Sequence, residues 1–162
     1  MKNAPIATRW EGTDLVMTRG PVEVDRLRGA DIRRVILVCE GGDTPSELQF
    51  AVVETATEHV LFPASTGIAG RVYFERQLYW TQRACVHWVT GRHAPLPRRL
   101  CTGVWLLRRN RPAYMRLPAG ELDALIAQWP LEGPQTWEQR KWAHIAVTRS
   151  LAALSRAAAP TP

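Results

Sequence analysis

The run Ile-Arg-Arg-Val-Ile-Leu-Val-Cys at residues 32–39 decides how this chain folds. It begins with polar and apolar residues mixed and then becomes apolar on both faces. A β-branched run of this kind is typical of a strand whose two faces are both covered. We therefore expect residues 32–39 to form a central strand.

Turn signals and alternating segments extend the pattern outward from this strand. Arg19-Gly20-Pro21 on one side and residues 40–45 on the other are loops. Residues from about 71 to 82 are rich in good helix formers and predict a helix inside the sheet region. The further predicted strands are 14–18, 22–27, 48–55, 59–62, 85–90 and 101–107.

Two helices are predicted towards the C-terminus. Apolar residues recur at helical spacing from Leu122 to Trp129, and Pro130 ends this helix. Thr136 and Gln139 fit a capping box that begins a second helix, which runs to about Ser155. The best stripe of the second helix is Trp137, Lys141, His144, Thr148 and Leu151.

These elements predict an α+β fold. We expect a bent antiparallel sheet or partial barrel of about seven strands, with one helix inside the sheet region and two C-terminal helices. A PH-like roll has this layout, by analogy only. The expected organisation is a single domain over residues 1–130, a C-terminal helical extension packed on it over 131–156, and a flexible tail over 157–162.

Composition is typical of one globular domain. Of the 162 residues, 46% are hydrophobic and 22% are charged. Cys39, Cys85 and Cys101 have neither metal-ligand nor redox spacing, which favours buried thiols in a reducing compartment. No window reaches the roughly 18 apolar residues of a membrane span, and the N-terminus has no apolar signal stretch. We therefore expect a cytoplasmic protein with no transmembrane segment.

The charges of the chain are unevenly distributed. Residues 1–75 carry eight basic and eleven acidic side chains, whereas residues 76–162 carry thirteen basic and four acidic ones. No Asp or Glu occurs from residue 76 to residue 120. Arginines without acidic neighbours in sequence need anions from elsewhere. The nine arginines of this stretch are Arg76, Arg83, Arg92, Arg98, Arg99, Arg108, Arg109, Arg111 and Arg116.

Three sources of anions fit this arginine-rich stretch. The first is internal pairing with carboxylates of the N-terminal half, namely Glu23, Asp25, Glu47, Glu54 and Glu58. The second is an acidic protein partner or a second copy of the chain, and the third is a nucleic acid bound by arginines with interleaved aromatic residues. We expect a non-catalytic interaction module that binds an acidic protein surface or self-associates as an oligomer, with nucleic-acid binding as the alternative.

Besides the arginine-rich stretch, the sequence has one other distinctive segment, Pro-Gln-Thr-Trp-Glu-Gln-Arg-Lys-Trp at 134–142. Trp137 and Trp142 are five residues apart, about 500° around a helix, and so do not share a face. Either one packs on the domain while the other meets a partner, or both belong to the core. The expected binding residues are Arg98, Arg99, Arg108, Arg109, Arg111, Trp137, Arg140 and Trp142.

Motifs for catalysis and cofactor binding have little support in this sequence. His59, His87, His93 and His144 have no partners at metal-ligand spacing. Gly67 and Gly70 lack the Lys-Ser/Thr of a phosphate-binding loop. We therefore expect no catalytic residue, no metal and no cofactor.

Overall fold

The computed structural model describes residues 4–41, 48–68, 86–97, 100 and 114–158. Over these residues the chain is a mixed α+β protein with a three-stranded sheet, a five-stranded sheet and two α-helices. The strands are β1 (Ile6–Glu11), β2 (Asp14–Arg19), β3 (Val22–Leu27), β4 (Ile32–Cys39), β5 (Leu48–Thr55), β6 (Glu58–Pro63), β7 (Val86–Thr90) and β8 (Met115–Pro118), and the helices are α1 (Asp123–Ile126) and α2 (Trp137–Ala157).

The first sheet consists of two tight hairpins in the order β1-β2-β3. Gly12 and Gly20 open the two turns with φ of 61° and 60°, a left-handed conformation that glycine adopts without steric penalty. Prediction from sequence omits β1, because the alternating residues Thr8 and Trp10 are only partly buried and the pattern is weak.

The chain crosses from the first sheet to the second at Gly29. A Cβ atom at Gly29 would lie 2.1 Å from the carbonyl oxygen of Thr13, so only glycine fits there. The Asp14 carboxylate accepts a 3.0 Å hydrogen bond from the Gly29 N–H. This bond, together with Arg26, holds the pKa of Asp14 below its usual value despite partial burial. The crossing divides the strands between two sheets, where a single bent antiparallel sheet was expected.

The second sheet has the order β7-β4-β5-β6-β8. Its strands are antiparallel except that β7 runs parallel to β4. The predicted single antiparallel sheet of about seven strands is therefore replaced by an antiparallel sheet and a mixed one. The central position of β4 is confirmed, because β5 and β7 flank it and both of its faces are buried.

Both faces of the second sheet are covered by apolar side chains. Val35 packs in one core cluster with Met17 of β2, between the two sheets. Ile36, on the other face of β4, packs with Leu122 and Ile126 around α1. The alternation of successive residues between two cores explains why the β4 sequence is apolar on both sides.

The two C-terminal helices differ from each other in how well they match the prediction. The stripe from Leu122 to Trp129 is largely buried, but the α-helix itself covers only Asp123–Ile126. The predicted capping box of α2 is confirmed. Thr136 Oγ1 accepts from the Gln139 N–H at 3.3 Å, and Gln139 Oε1 accepts from the Thr136 N–H at 2.9 Å.

Several predicted features lie outside the described residues. They include the helix at 71–82 and the strand at 101–107. The domain boundary at residue 130 and the flexible tail remain predictions. Among the helices in the described ranges, none has the length and apolar character needed to cross a membrane.

Candidate interaction surface

The predicted binding residues divide into two groups. All three that the structure describes, Trp137, Arg140 and Trp142, lie on α2. The surface that the structure defines is therefore this helix and its support. The other five, Arg98, Arg99, Arg108, Arg109 and Arg111, lie outside the described residues.

Residues 131–135, which we call the connector, run along the edge of β7 and support the start of α2. Trp88 and Glu132 exchange two backbone hydrogen bonds of 2.8 Å each. The Gln135 N–H donates to the carbonyl of Val86 at 2.9 Å, and the Trp88 indole N–H donates to the carbonyl of Gln135 at 3.1 Å. These bonds satisfy backbone groups of β7 that the sheet leaves unpaired, and they fix the chain directly before the helix.

Arg140 anchors the first turn of α2 on this connector. Only 4% of the residue is exposed, and its Nε donates to Glu132 Oε2 at 3.1 Å. Its guanidinium carbon lies 5.3 Å from the ring centroid of Trp88, in a cation–π contact. The expectation that Arg140 meets a partner at the surface is corrected by this burial, because its charge is already engaged inside the molecule.

Trp137 and Trp142 lie on different sides of α2, as their spacing predicts. Trp137 is half-buried and packs against the core, with Lys141 Nζ 5.0 Å from its ring centroid. Trp142 is 64% exposed. The alternative in which both tryptophans belong to the core therefore does not hold, and Trp142 is the one that a partner can reach.

A stripe of residues continues along one side of α2 beyond Arg140, and the outer part of this stripe is apolar. Positions 140, 144, 147, 151 and 154 recur at spacings of four, three, four and three residues, which places them on one side of the helix. Arg140 is buried and His144 is half-buried. Val147, Leu151 and Leu154 are 59%, 59% and 67% exposed, and we call these three residues the outer seam.

Prediction from sequence missed two of the three residues of the outer seam, Val147 and Leu154. The stripe expected from the sequence shares His144 and Leu151 with this one but runs through Lys141 and Thr148 instead of Arg140 and Val147. The sequence pattern that identifies the seam is the regular alternation of three- and four-residue spacings. Burial then shows that only the first turns of this stripe are covered by the described part of the protein.

Arg116, a member of the arginine-rich stretch, is paired inside the molecule. Its Nε and Nη2 donate to the two oxygens of Asp25 at 3.0 and 2.8 Å, and its Nη1 donates to Glu58. Tyr114 Oη donates to the same Asp25 at 2.5 Å. The anions that Arg116 meets are therefore carboxylates from the N-terminal half of the same chain.

The hydrogen bonds around Asp25 shift the proton affinities of the cluster. Burial raises the pKa of Asp25, but the hydrogen bonds from Arg116 and Tyr114 outweigh burial, and the pKa lies below its usual value. Burial, followed by the bond to Asp25, raises the pKa of Tyr114 to about 12. The cluster is therefore ionised at Asp25 and protonated at Tyr114 at neutral pH.

A groove of about 500 Å³ lies beside this cluster. Arg26, Arg28 and Arg116 line it, together with Asp31 and Glu58. Each guanidinium already meets carboxylate groups: Arg28 contacts Asp31 at 2.9 Å, and Arg26 contacts three acids at 2.7–3.1 Å. The groove therefore offers no excess positive charge to an anion.

His59 on β6 is a buried histidine beneath two carboxylates. It is fully buried, and neither ring nitrogen has a hydrogen-bond partner. Its Nε2 lies 3.5 Å from both Glu54 Oε2 and Asp123 Oδ1, and Glu54 is held by Arg34. Within the described ranges, no group of three His, Cys, Asp or Glu side chains is arranged to hold a metal ion.

No protein-family model, curated protein sequence or solved structure matches this chain. The function is therefore inferred from the chemistry of these surfaces.

Proposed function

We propose that this protein is a non-catalytic interaction module that docks on another protein chain through the outer seam of α2. The observation that carries the proposal is the exposure of Val147, Leu151 and Leu154 on one side of a single helix. Isolated apolar residues at a surface are ordinary, but a continuous stripe of them on an uncovered helix face marks a contact site.

The anchoring of α2 supports this role. Arg140 and Trp137 hold the first turn of the helix against the body, and the capping box fixes where the helix begins. Such a base presents the outer turns in a fixed direction without ordering them at the moment of binding. A helix laid along an apolar surface is a common mode of protein recognition.

The arginine-rich stretch has a steering role in this proposal. Arg98, Arg99, Arg108, Arg109 and Arg111 supply positive charge that no Asp or Glu between residues 76 and 120 offsets. Charge near an interface changes association rates and orientation more than it changes affinity. The apolar seam then provides the affinity.

Photo-crosslinking in cells that express the protein tests this function. We expect a photoreactive amino acid at position 151 to form adducts with protein. The same label at Ala153, an exposed residue on the other side of α2, is the matched control and is expected to form few adducts. Equal adduct formation at 151 and 153, or none at 151, would contradict the proposal.

A further inference from the structure

We infer that the outer seam of α2 binds the same seam of a second copy of this chain, with the two helices antiparallel. This inference rests on the proposed function and names the partner. The first argument is the spacing of the seam. Alternating steps of three and four residues average 3.5, which is the repeat that lets two helices pack along a shared line.

The flanks of the seam favour an identical partner. Residues bordering it from position 143 onward are small and uncharged: Ala143, Thr148, Ser150, Ser155 and Ala157. Two copies therefore meet without like charges facing each other, and small flanking residues allow the helix axes to approach closely.

The positions of the helix charges disfavour an acidic partner on this face. Arg149 and Arg156 lie on the opposite side of α2 from the outer seam, at 100° per residue. An acidic helix bound to the seam could not pair with Arg149 and Arg156, because both lie on the far side of α2. A second copy needs no such match.

The body of the protein sets the orientation. It already covers the seam side of α2 at Trp137 and Arg140. A parallel partner would bring its own body to the same level and the same side, and the two bodies would collide. An antiparallel partner enters from the free end, along residues 144–158, a length of about 21 Å at 1.5 Å per residue.

Antiparallel pairing also gives matched layers. When residue 147 of one copy faces residue 151 of the other, Val147 meets Leu151 twice around a central twofold axis. His144 then meets Leu154 at each end. Opposed helix dipoles favour the same arrangement.

The contact is short, and so the dimer is weak. A stable interface buries about 1,200–2,000 Å² in total, and four layers of side chains bury less than this. We expect dissociation constants on the order of micromolar to millimolar. The chain is therefore a monomer when dilute and a dimer when concentrated.

Analytical ultracentrifugation of the full chain from about 10 μM to about 1 mM tests the inference. The wild-type protein is expected to shift from monomer to dimer across this range. Leu151→Glu is expected to weaken association by at least about tenfold, and Val147→Glu to do the same. Ala153→Glu is the matched control and should associate like the wild type. Circular dichroism of each variant establishes that α2 remains helical.

A charge swap at Thr148 tests the orientation. In the antiparallel pair the two copies of residue 148 lie beside the twofold axis on the same flank. We expect Thr148→Glu alone and Thr148→Lys alone to weaken association, and an equimolar mixture to restore it. In a parallel pair the two residues lie on opposite flanks, and mixing would restore nothing.

The remaining outcomes decide between this inference and the function on which it rests. A monomer throughout the concentration range overturns self-association, and so does a dimer that survives both Leu151→Glu and Val147→Glu. If adducts nevertheless form at position 151 in cells, the docking function stands with a different partner. If there is neither dimer nor adduct, both proposals are wrong.

Discussion

Asp25 joins the arginine-rich half of the chain to the acidic half, because it accepts hydrogen bonds from both Arg116 and Tyr114. Its pKa is lower in the folded protein than in the unfolded chain. The stabilisation is therefore complete above the usual carboxyl pKa of about 3.9 and is lost as pH falls through the lowered value.

We predict that Asp25→Asn lowers the free energy of unfolding by about 1–3 kcal/mol at pH 7, because hydrogen bonds to a charged group are lost. The difference from wild type should shrink as pH falls below about 3.9. Urea unfolding at a series of pH values measures it. Asp31→Asn, which breaks the exposed pair with Arg28, is the control and should change stability little. A difference for Asp25→Asn that stays constant down to pH 2 would contradict the assignment.

His59 is a second residue whose surroundings predict how its replacement changes stability. Because its ring nitrogens have no hydrogen-bond partner, burying them destabilises the fold. We predict that His59→Leu leaves the free energy of unfolding unchanged or raises it by about 1 kcal/mol. Chemical denaturation at pH 7 measures it.

Thr55 provides the matched control for His59. Its buried hydroxyl accepts from the N–H groups of Thr57 and Glu58, so Thr55→Val should lower stability by about 1–3 kcal/mol. A comparable loss in His59→Leu would show instead that the imidazole is engaged with Glu54 and Asp123.

At the scale of elements, α2 depends on its first turn. Thr136 and Gln139 satisfy each other's backbone N–H groups, and beyond residue 145 every described residue of α2 is exposed. A long helix with little tertiary packing depends strongly on such local terms. The cap therefore contributes more to helix stability here than it would in a buried helix.

We predict that Thr136→Ala lowers helix stability by about 1 kcal/mol. Amide exchange at residues 137–145, measured in dilute solution where the chain is monomeric, should become faster. Thr148→Ala, in the middle of the same helix, is the control and should not speed exchange, because alanine is the better helix former. Unchanged exchange in Thr136→Ala would mean that Arg140 and Trp137 hold the first turn without the cap.

The arginine-rich stretch can pair with carboxylates of the same chain or with anions of a partner. Arg116 finds Asp25 and Glu58 across 91 and 58 residues of sequence. Pairing of this kind removes one of nine arginines from the set available to a partner. The densest basic run, Arg108-Arg109-Asn110-Arg111, is the next to test.

We predict that replacing Arg108, Arg109 and Arg111 together by Ala changes the rate of association through α2 more than its affinity, because long-range charge acts mainly on rates. An acidic partner would bind more slowly, whereas two copies of this chain, each with a net charge of +6, would associate faster. Stopped-flow mixing at low and moderate salt measures the rate. Binding of single-stranded nucleic acid distinguishes the alternative. Affinity that falls steeply with salt and disappears in the triple variant would favour a nucleic-acid-binding protein over the interaction module.

Most of the described strands could be predicted because their signals are local. Strands β2 to β6 follow from alternation, β-branched residues and Gly-Pro turns, all within a few residues of one another. The omitted strands, β1 and β8, are half exposed or only four residues long, and their patterns are correspondingly weak. The parallel partnership of β7 with β4 depends on distant parts of the chain, which periodicity does not encode.

The candidate surface was predictable in part. The spacing of Trp137 and Trp142 requires them to lie on different sides of a helix, but it does not say which side the body covers. That choice depends on the connector that pairs with Trp88, and this pairing buries Arg140 while leaving Trp142 exposed. The outer seam follows from the same docking, because the described part of the body covers only the first turns of α2.

Local sequence patterns are enough to predict the α+β class, the central strand, the capping box of α2 and the uneven distribution of charge. These features depend on neighbouring residues, whose backbone geometry and periodicity act locally. Three further features follow from long-range packing: the strands form two sheets, Arg116 meets Asp25, and Val147, Leu151 and Leu154 are exposed. These outcomes depend on which distant surfaces come together when apolar area is buried, and sequence spacing does not record that choice.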